Sequence, residues 1–360
     1  MQRYEINKEE SARLSALKVL MCIFVLVIHA FSNSIGVKVS PDTKLLYQAT
    51  FVLSRIICDC AVPVFILISA VLLYRKPFDW EKNARKKCCS LLLPYMIFNT
   101  LWIVQVFAKH VLGKKLGITV GNDIDLAAFS LFDWVDAYFG LTGDYKPLLT
   151  TLWYVRDLFL LNLLAKPIQK LVDKFPIPVL VLVMAVWFLG IPVYFIQAYS
   201  LIFFVLGYYL VKYNLHLQDL DRLNSKAVAA VYIVVLLADI MLQRKVTIVN
   251  RIFICISVVL FAKLSKHGYR MARSINLIAP VTFFIYLTHQ FVYVLIRVVL
   301  PDTIGAYLAT YLLKPAAALA SMTGLYYLMK RYTPELLAVL VGGRAVSRES
   351  ERQNRKESVL

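Results

Sequence analysis

"LKVLMCIFVLVIHAF", Leu17–Phe31, is apolar throughout except for Lys18 near its start and His29 near its end. A continuous apolar run of this kind reads as a buried or bilayer-spanning helix. Similar runs recur along most of the 360 residues, which are 60% hydrophobic and 13% aromatic, with only 17% charged. The mean hydropathy is +0.67. A soluble domain carries charges at about a quarter of its positions, whereas a bilayer is crossed by an apolar helix of about 17–25 residues. The composition excludes an ordinary soluble enzyme and predicts an all-α polytopic bundle. About ten spans are expected, near 14–36, 47–74, 88–112, 150–166, 177–195, 199–213, 227–243, 250–265, 275–298 and 303–328. Pro63 predicts a kink or tilt in the second. No short signal peptide with a small-residue cleavage site is evident, so the first span is expected to stay.

Charge between the runs predicts orientation. Lys and Arg number 40 against 22 Asp and Glu, a net charge of +18. The excess concentrates in "YRKPFDWEKNARKK", "KPIQKLVDK", "AKLSKHGYRMAR" and the tail with Arg344, Arg348, Arg352 and Arg355. "GNDID", "DWVDAYFG" and "TGDYK" are acidic or mixed. With ten spans the basic segments share one side, and the positive-inside rule then puts both termini in the cytoplasm. Residues 1–335 are read as the membrane domain and 336–360 as a basic cytoplasmic tail. The charge fits topology and anionic headgroups; no nucleic-acid fold signature accompanies it. Residues 126–139, "LAAFSLFDWVDAYF", have the spacing of an amphipathic interfacial helix. Cys22, Cys58, Cys60, Cys88, Cys89 and Cys255 lack zinc-ligand spacing and read as small apolar packing residues, so no metal site is expected.

Lys18 and His29 are eleven residues apart, which on an α-helix is three turns plus about 20°, and about 16 Å of rise. They share a face without touching. Lys18 would lie at the cytoplasmic end, where an isolated lysine can also simply snorkel. His29 would lie in the outer half, where ionisable groups are costly and usually face a functional cavity. Asp59, Arg156, Asp157 and His289 fall at comparable depth on other runs, and together predict a shared polar cavity; a structural ion-pair network is the competing reading. No Gly-x-Ser-x-Gly elbow, His-Glu-x-x-His zinc site or phosphate-cradling loop occurs. The His-x-x-x-x-Asp pattern also fails, because Ser34 and Val294 stand five residues after the two histidines. There remains histidine as general base, with a carboxylate, Asp59 or Asp157, to orient it.

These residues resemble the membrane-bound acyltransferase-3 family. The family opens with a basic residue, ten residues, then histidine, as from Lys18 to His29. Its second span carries a Val-Pro-hydrophobic-Phe stretch ending in Ser-Gly, matched by "VPVFILISAVLL" at Val62, Pro63, Phe65 and Ser69. "RKKCCSLLLPY", "LWYVRDL", "FFVLGYYL" and "FFIYLTHQ" match later family segments in order, over nearly the whole chain. Lys18 replaces the usual arginine, and Ala70 the glycine after Ser69.

The resemblance implies an O-acyltransferase that takes an acyl group, usually acetyl, from cytoplasmic acyl-CoA as substrate rather than bound cofactor. The acceptor would be an extracytoplasmic glycan or lipid-linked sugar, and in a bacterium the site would be the cytoplasmic membrane. His29 is then the expected base. His289 is a second base or hydrogen-bond partner, with Tyr286 on its helix face and Trp153 at the substrate. Arg156 would stabilise the oxyanion or pair with a carboxylate. Lys18, with Arg85, Lys86 and Lys87, would attract the phosphates of CoA. Ser69 is read as a packing or substrate-contacting hydroxyl. A transporter or flippase for a lipid-linked sugar would also bury such charges, and paired broken helices would favour it.

Overall fold

A computed structural model describes residues 4–31, 41–116, 126–143, 146–300 and 307–343. The acidic stretch 121–125, Asp144, and the tail arginines Arg344, Arg348, Arg352 and Arg355 lie outside them. The described residues are helical and contain no strand. Four helices, Lys8–Ala30, Lys44–Tyr74, Trp80–Val111 and Thr247–Gly268, are long and apolar enough to cross a bilayer. A fifth candidate is the pair Ala165–Lys174 and Pro176–Leu189, bent by 120°. The chain is a multi-pass membrane protein. Contacts divide it into two compact units: Met1–Asp79, Ala165–Pro192 and Ala198–Leu328 form the first, and Trp80–Leu164, Val193–Gln197 and Met329–Leu360 the second.

In the first unit, α1 (Lys8–Ala30) starts because Asn7 accepts the backbone N–H of Glu10 at 2.8 Å, with Glu9 and Glu10 favouring the positive end of the helix dipole. Its buried face runs through Leu14, Leu17, Met21, Val25 and Leu26 at the three- and four-residue spacing of one helical stripe. After α2 (Pro41–Phe51) the α geometry gives way to a π turn over Val52–Ile56 and a 3-10 turn over Ile57–Cys60, before α3 (Ala61–Tyr74) resumes it. The cause is Pro63, which cannot donate to the carbonyl of Asp59 and crowds that turn.

The second unit opens on α4 (Trp80–Lys87), passes a π turn at Cys88–Leu92, and continues as α5 (Leu93–Leu116). Pro94 has the same effect on the carbonyl of Ser90. Gly342, in the left-handed region at φ +66°, packs onto Ser90 so closely that a Cβ would collide with its Cα. The amphipathic segment forms α6 (Leu131–Phe139), capped by reciprocal Ser130–Asp133 bonds and exposing Leu131 and Phe132. Then come α7 (Trp153–Leu163) and, in the first unit, α8 (Ala165–Lys174), α9 (Pro176–Leu189) and α10 (Ala198–Lys212).

The expected basic loop "KPIQKLVDK" is therefore helical, and "YRKPFDWEKNARKK" contains α4. Val172 of α8 is fully buried while its lysines stay at the surface, a short amphipathic helix whose charge masked its periodicity. The bend between α8 and α9 falls at Phe175-Pro176, where a proline at the first helical position forces its predecessor out of helical geometry.

The closest helix packing in the first unit joins α3 to α10. A Cβ at Gly207 would meet Ala70 Cβ at 2.5 Å and the Leu67 carbonyl at 3.0 Å. The chain continues through α11 (Ser225–Met241), α12 (Thr247–Leu264), α13 (Ala272–Ile278), α14 (Thr282–Val299), α15 (Tyr307–Tyr332) and α16 (Pro334–Leu340). Leu337 of α16 is fully buried, although the sequence reads as tail from residue 336.

Candidate functional site

The polar centre of the first unit is built by α1 and α14. Cys22 Sγ lies 3.8 Å from the Thr282 carbonyl, and the ring centroids of His29 and His289 lie 5.2 Å apart. Each contact is seven residues from the other on both helices and in the same sense, so the two helices run parallel with their histidines level. Tyr293, one turn past His289, donates its hydroxyl back to the Leu26 carbonyl at 2.7 Å, a further tie between the two helices.

His289 is fully buried and its neighbours determine its tautomer. Nδ1 lies 2.8 Å from the Tyr286 carbonyl and 3.2 Å from that of Ile285. A carbonyl only accepts, so Nδ1 carries the hydrogen and Nε2 of the neutral ring carries the lone pair. Nε2 has no hydrogen-bond partner among the described residues. A buried acceptor left that way costs about 1–3 kcal/mol, so a hydroxyl arriving beside it is stabilised. His29 is only half-buried and is the more accessible imidazole of the pair.

Aromatic hydroxyl-bearing side chains surround the histidines. Tyr286 and Tyr293 have ring centroids 6.1 and 5.6 Å from that of His289. Tyr311 shares a 2.7 Å hydrogen bond with Ser54, whose hydroxyl also reaches the Val27 carbonyl at 3.1 Å. Tyr307 and Thr50 pair at 2.8 Å one turn along. Sequence reading missed Tyr293, Ser54 and Tyr311. Tyr286, His289 and Tyr293 stand at three- and four-residue steps, a signal that could have found Tyr293; Ser54 and Tyr311 carry no such mark.

Of the two carboxylates expected to orient a histidine, Asp59 has an arginine as its ion-pair partner. Asp59 gives its carboxylate to Arg244, 2.7 Å away, because the turn after α11 carries a guanidinium over the 3-10 segment. Buried Asp239 stands 3.9 Å from the same arginine. Ser69 lies half-buried on α3, and Lys18 half-buried on α1.

In the second unit, Arg156 pairs with its neighbour Asp157 at 3.0 Å and donates to the carbonyls of Phe139 and Gly140 at 2.6 and 3.2 Å. Asp157, fully buried, also accepts the Gln197 backbone N–H at 2.9 Å. This network ties α7 to the end of α6. Trp153 packs edge-on against Tyr154 at the start of α7. Arg85 and Lys86 are exposed on the last turn of α4, followed by Lys87. Among the described residues no group of three or more His, Cys, Asp or Glu is placed to hold a metal.

Comparison with known proteins gives two matches. The acyltransferase-domain profile of the acyltransferase-3 family covers residues 11–331. The succinoglycan biosynthesis protein ExoH of Rhizobium meliloti (strain 1021) is 24% identical over 352 residues, spanning 93% of this chain and 92% of that protein. No solved structure matches.

Proposed function

The chain belongs to the acyltransferase-3 family, and from that premise we propose that it moves an acyl group, acetyl in the usual family case, from cytoplasmic acyl-CoA to a hydroxyl of an extracytoplasmic glycan or lipid-linked sugar. The observation that carries the reading is the level pair of imidazoles, His29 and His289, on two parallel helices.

His29, half-buried, takes the proton of the acceptor hydroxyl as its oxygen attacks the thioester carbonyl carbon. The tetrahedral intermediate collapses, the C–S bond breaks, and the CoA thiolate recovers the proton from the His29 imidazolium. The products are the ester and free CoA. His289 is a positioning residue: its Nε2 lone pair is an acceptor for the N–H of its partner ring, which leaves the other His29 nitrogen to meet the hydroxyl. Lys18, about 16 Å down the same helix, attracts the CoA phosphates, and a pantetheine arm laid along that face brings the thioester toward His29. The exposed Arg85 and Lys86 supply further positive charge on the side expected to face the cytoplasm. Arg156 serves the backbone around Gly140 in this reading rather than the oxyanion.

Mass spectrometry of envelope glycans from cells with and without the gene tests the proposal. An acyl ester present only with the gene, and absent when His29→Ala replaces the wild type, is the expected result. Identical glycans in all three strains, with the protein expressed, would overturn it.

A further inference from the structure

The first unit holds a polar recess that the acyl-transfer reading leaves unused. It is a cleft of about 230 Å³ at the turn between α11 and α12. Trp187 and Tyr199 form aromatic walls, and Asp59, Arg244, Asn250 and Arg251 supply the polar ones. The volume falls below the roughly 300–1,000 Å³ of pockets for drug-sized ligands, a size suited to one sugar ring and its substituent.

The charges inside are unequal in their commitments. Arg244 is engaged by Asp59 at 2.7 Å and approached by Asp239 at 3.9 Å. Arg251 forms no hydrogen bond or ion pair among the described residues, and its Nη1 is buried without a partner. Its guanidinium lies against Gly190, where a Cβ would stand 3.4 Å from Nη2 and where φ is +78°, so the lining stays bare of a side chain there. Asn250 donates to the Arg244 carbonyl at 2.9 Å, leaving its side-chain oxygen unpartnered in the same recess. Arg251 stands in the second turn of α12, which begins at Thr247 and whose N-cap, Val246, offers no side-chain acceptor. An uncapped helix start favours an anion.

A half-buried, unpaired guanidinium beside an unpaired amide oxygen matches an oxyanion that also carries a hydroxyl: guanidinium to carboxylate or phosphate, amide oxygen to O–H. The 3-10 segment bearing Asp59, which lines the recess, packs against both α12 and α1, the helix that carries His29. We propose that this cleft binds the anionic sugar of the acceptor, with Arg251 on its carboxylate or phosphate and Trp187 against its ring. The inference rests on the acyl-transfer reading for the ligand's role, and makes the protein selective for acidic glycans over neutral ones.

The test is a calorimetric titration of the purified full-length protein, in a detergent without a sugar headgroup, with sodium glucuronate, glucose 1-phosphate and glucose. No acyl donor is present, so the outcome is independent of whether transfer occurs. At least one acidic sugar should bind about ten- to a hundredfold tighter than glucose, the range for a hydrogen bond to a charged group, and added salt should erode the difference. The two acidic probes distinguish a carboxylate site from a phosphate site. Arg251→Gln should reduce acidic-sugar binding to the level of glucose, and Arg251→Lys, which keeps the charge but not the fork, should fall between. Equal binding of all three sugars by the wild type would overturn the proposal, as would undiminished acidic-sugar binding in Arg251→Gln. If Arg251→Gln does not fold, the wild-type comparison and Arg251→Lys still decide it.

Discussion

Gly207 on α10 lies so close to α3 that a methyl group on it would meet Ala70 Cβ at 2.5 Å. The family's glycine is missing after Ser69, yet the close helix approach survives, because the partner helix provides the missing space instead. Gly207→Ala should destabilise the protein by about 1–3 kcal/mol through overpacking. Ala70→Gly in the same chain should recover part of that loss, with the Leu67 carbonyl, 3.0 Å from the new Cβ, limiting the recovery. Thermal unfolding in detergent measures both. A Gly207→Ala protein as stable as wild type would show that the helices separate easily at this point.

Arg156 and Asp157 make a buried pair inside the second unit. Removing one partner of such a pair leaves an uncompensated charge and costs about 3–5 kcal/mol. Asp157→Ala should therefore lower the unfolding temperature sharply, with acyl transfer per folded molecule little changed. Loss of transfer at wild-type stability would instead assign these residues to the chemistry.

Much of this arrangement was legible because periodicity survives in a lipid-facing chain. The eleven-residue interval on α1 placed Lys18 and His29 on one face, and counting from the expected span starts put His29 and His289 at one depth. Pro63 marked the disturbance in the long helix, though not the π turn that absorbs it. Less legible were contacts closed by distant segments. Arg244 reaches Asp59 across 185 residues, and nothing near either residue announces the other. The basic segments read as loops because their charge obscured short amphipathic helices. Arg251 was not singled out at the start of its expected span, since its setting depends on Gly190 and Asn250 around it.

The start of α1 is clasped to the 3-10 turn Leu217–Arg222. Arg13 bridges Asp221 at 2.5 Å and Glu9 at 2.6 Å, while buried Lys263 donates to the carbonyls of Leu220, Asp221 and Leu223. The Arg13 hydrogen bond holds the Asp221 carboxyl below the usual carboxylate range. A depressed folded pKa stabilises above the unfolded value of about 3.9, and the contribution is lost as pH falls through the folded one. The stability advantage of wild type over Asp221→Asn should be constant at neutral pH and shrink below about pH 4. An advantage that does not change with pH would remove the ion pair as its source.

Lys18 and His29 act at opposite ends of one helix in the proposed reaction, so their variants should fail differently. Lys18→Ala should raise KM for acyl-CoA more than it lowers kcat, since a surface-side cation contributes attraction to the donor and not proton transfer. Lys18→Arg, the family's usual residue, should restore or improve donor binding through its planar fork. Unchanged donor dependence in Lys18→Ala would break the link between that lysine and CoA.

The two histidines should separate in the same assay. His29→Ala should reduce kcat by about 10²- to 10⁴-fold, the range for loss of a positioned base. His289→Asn retains a side-chain amide that can donate to the Tyr286 carbonyl in place of Nδ1, and loses the ring with its Nε2 lone pair. If His289 positions its partner ring, His289→Asn should cost less than His29→Ala and leave the acyl-CoA KM unaltered. The pH profile of kcat should then keep the same acid limb in His289→Asn, because the titrating base is still His29. A larger loss in His289→Asn than in His29→Ala, at equal stability, would reverse the two roles and make the buried ring, with its unpartnered Nε2, the base.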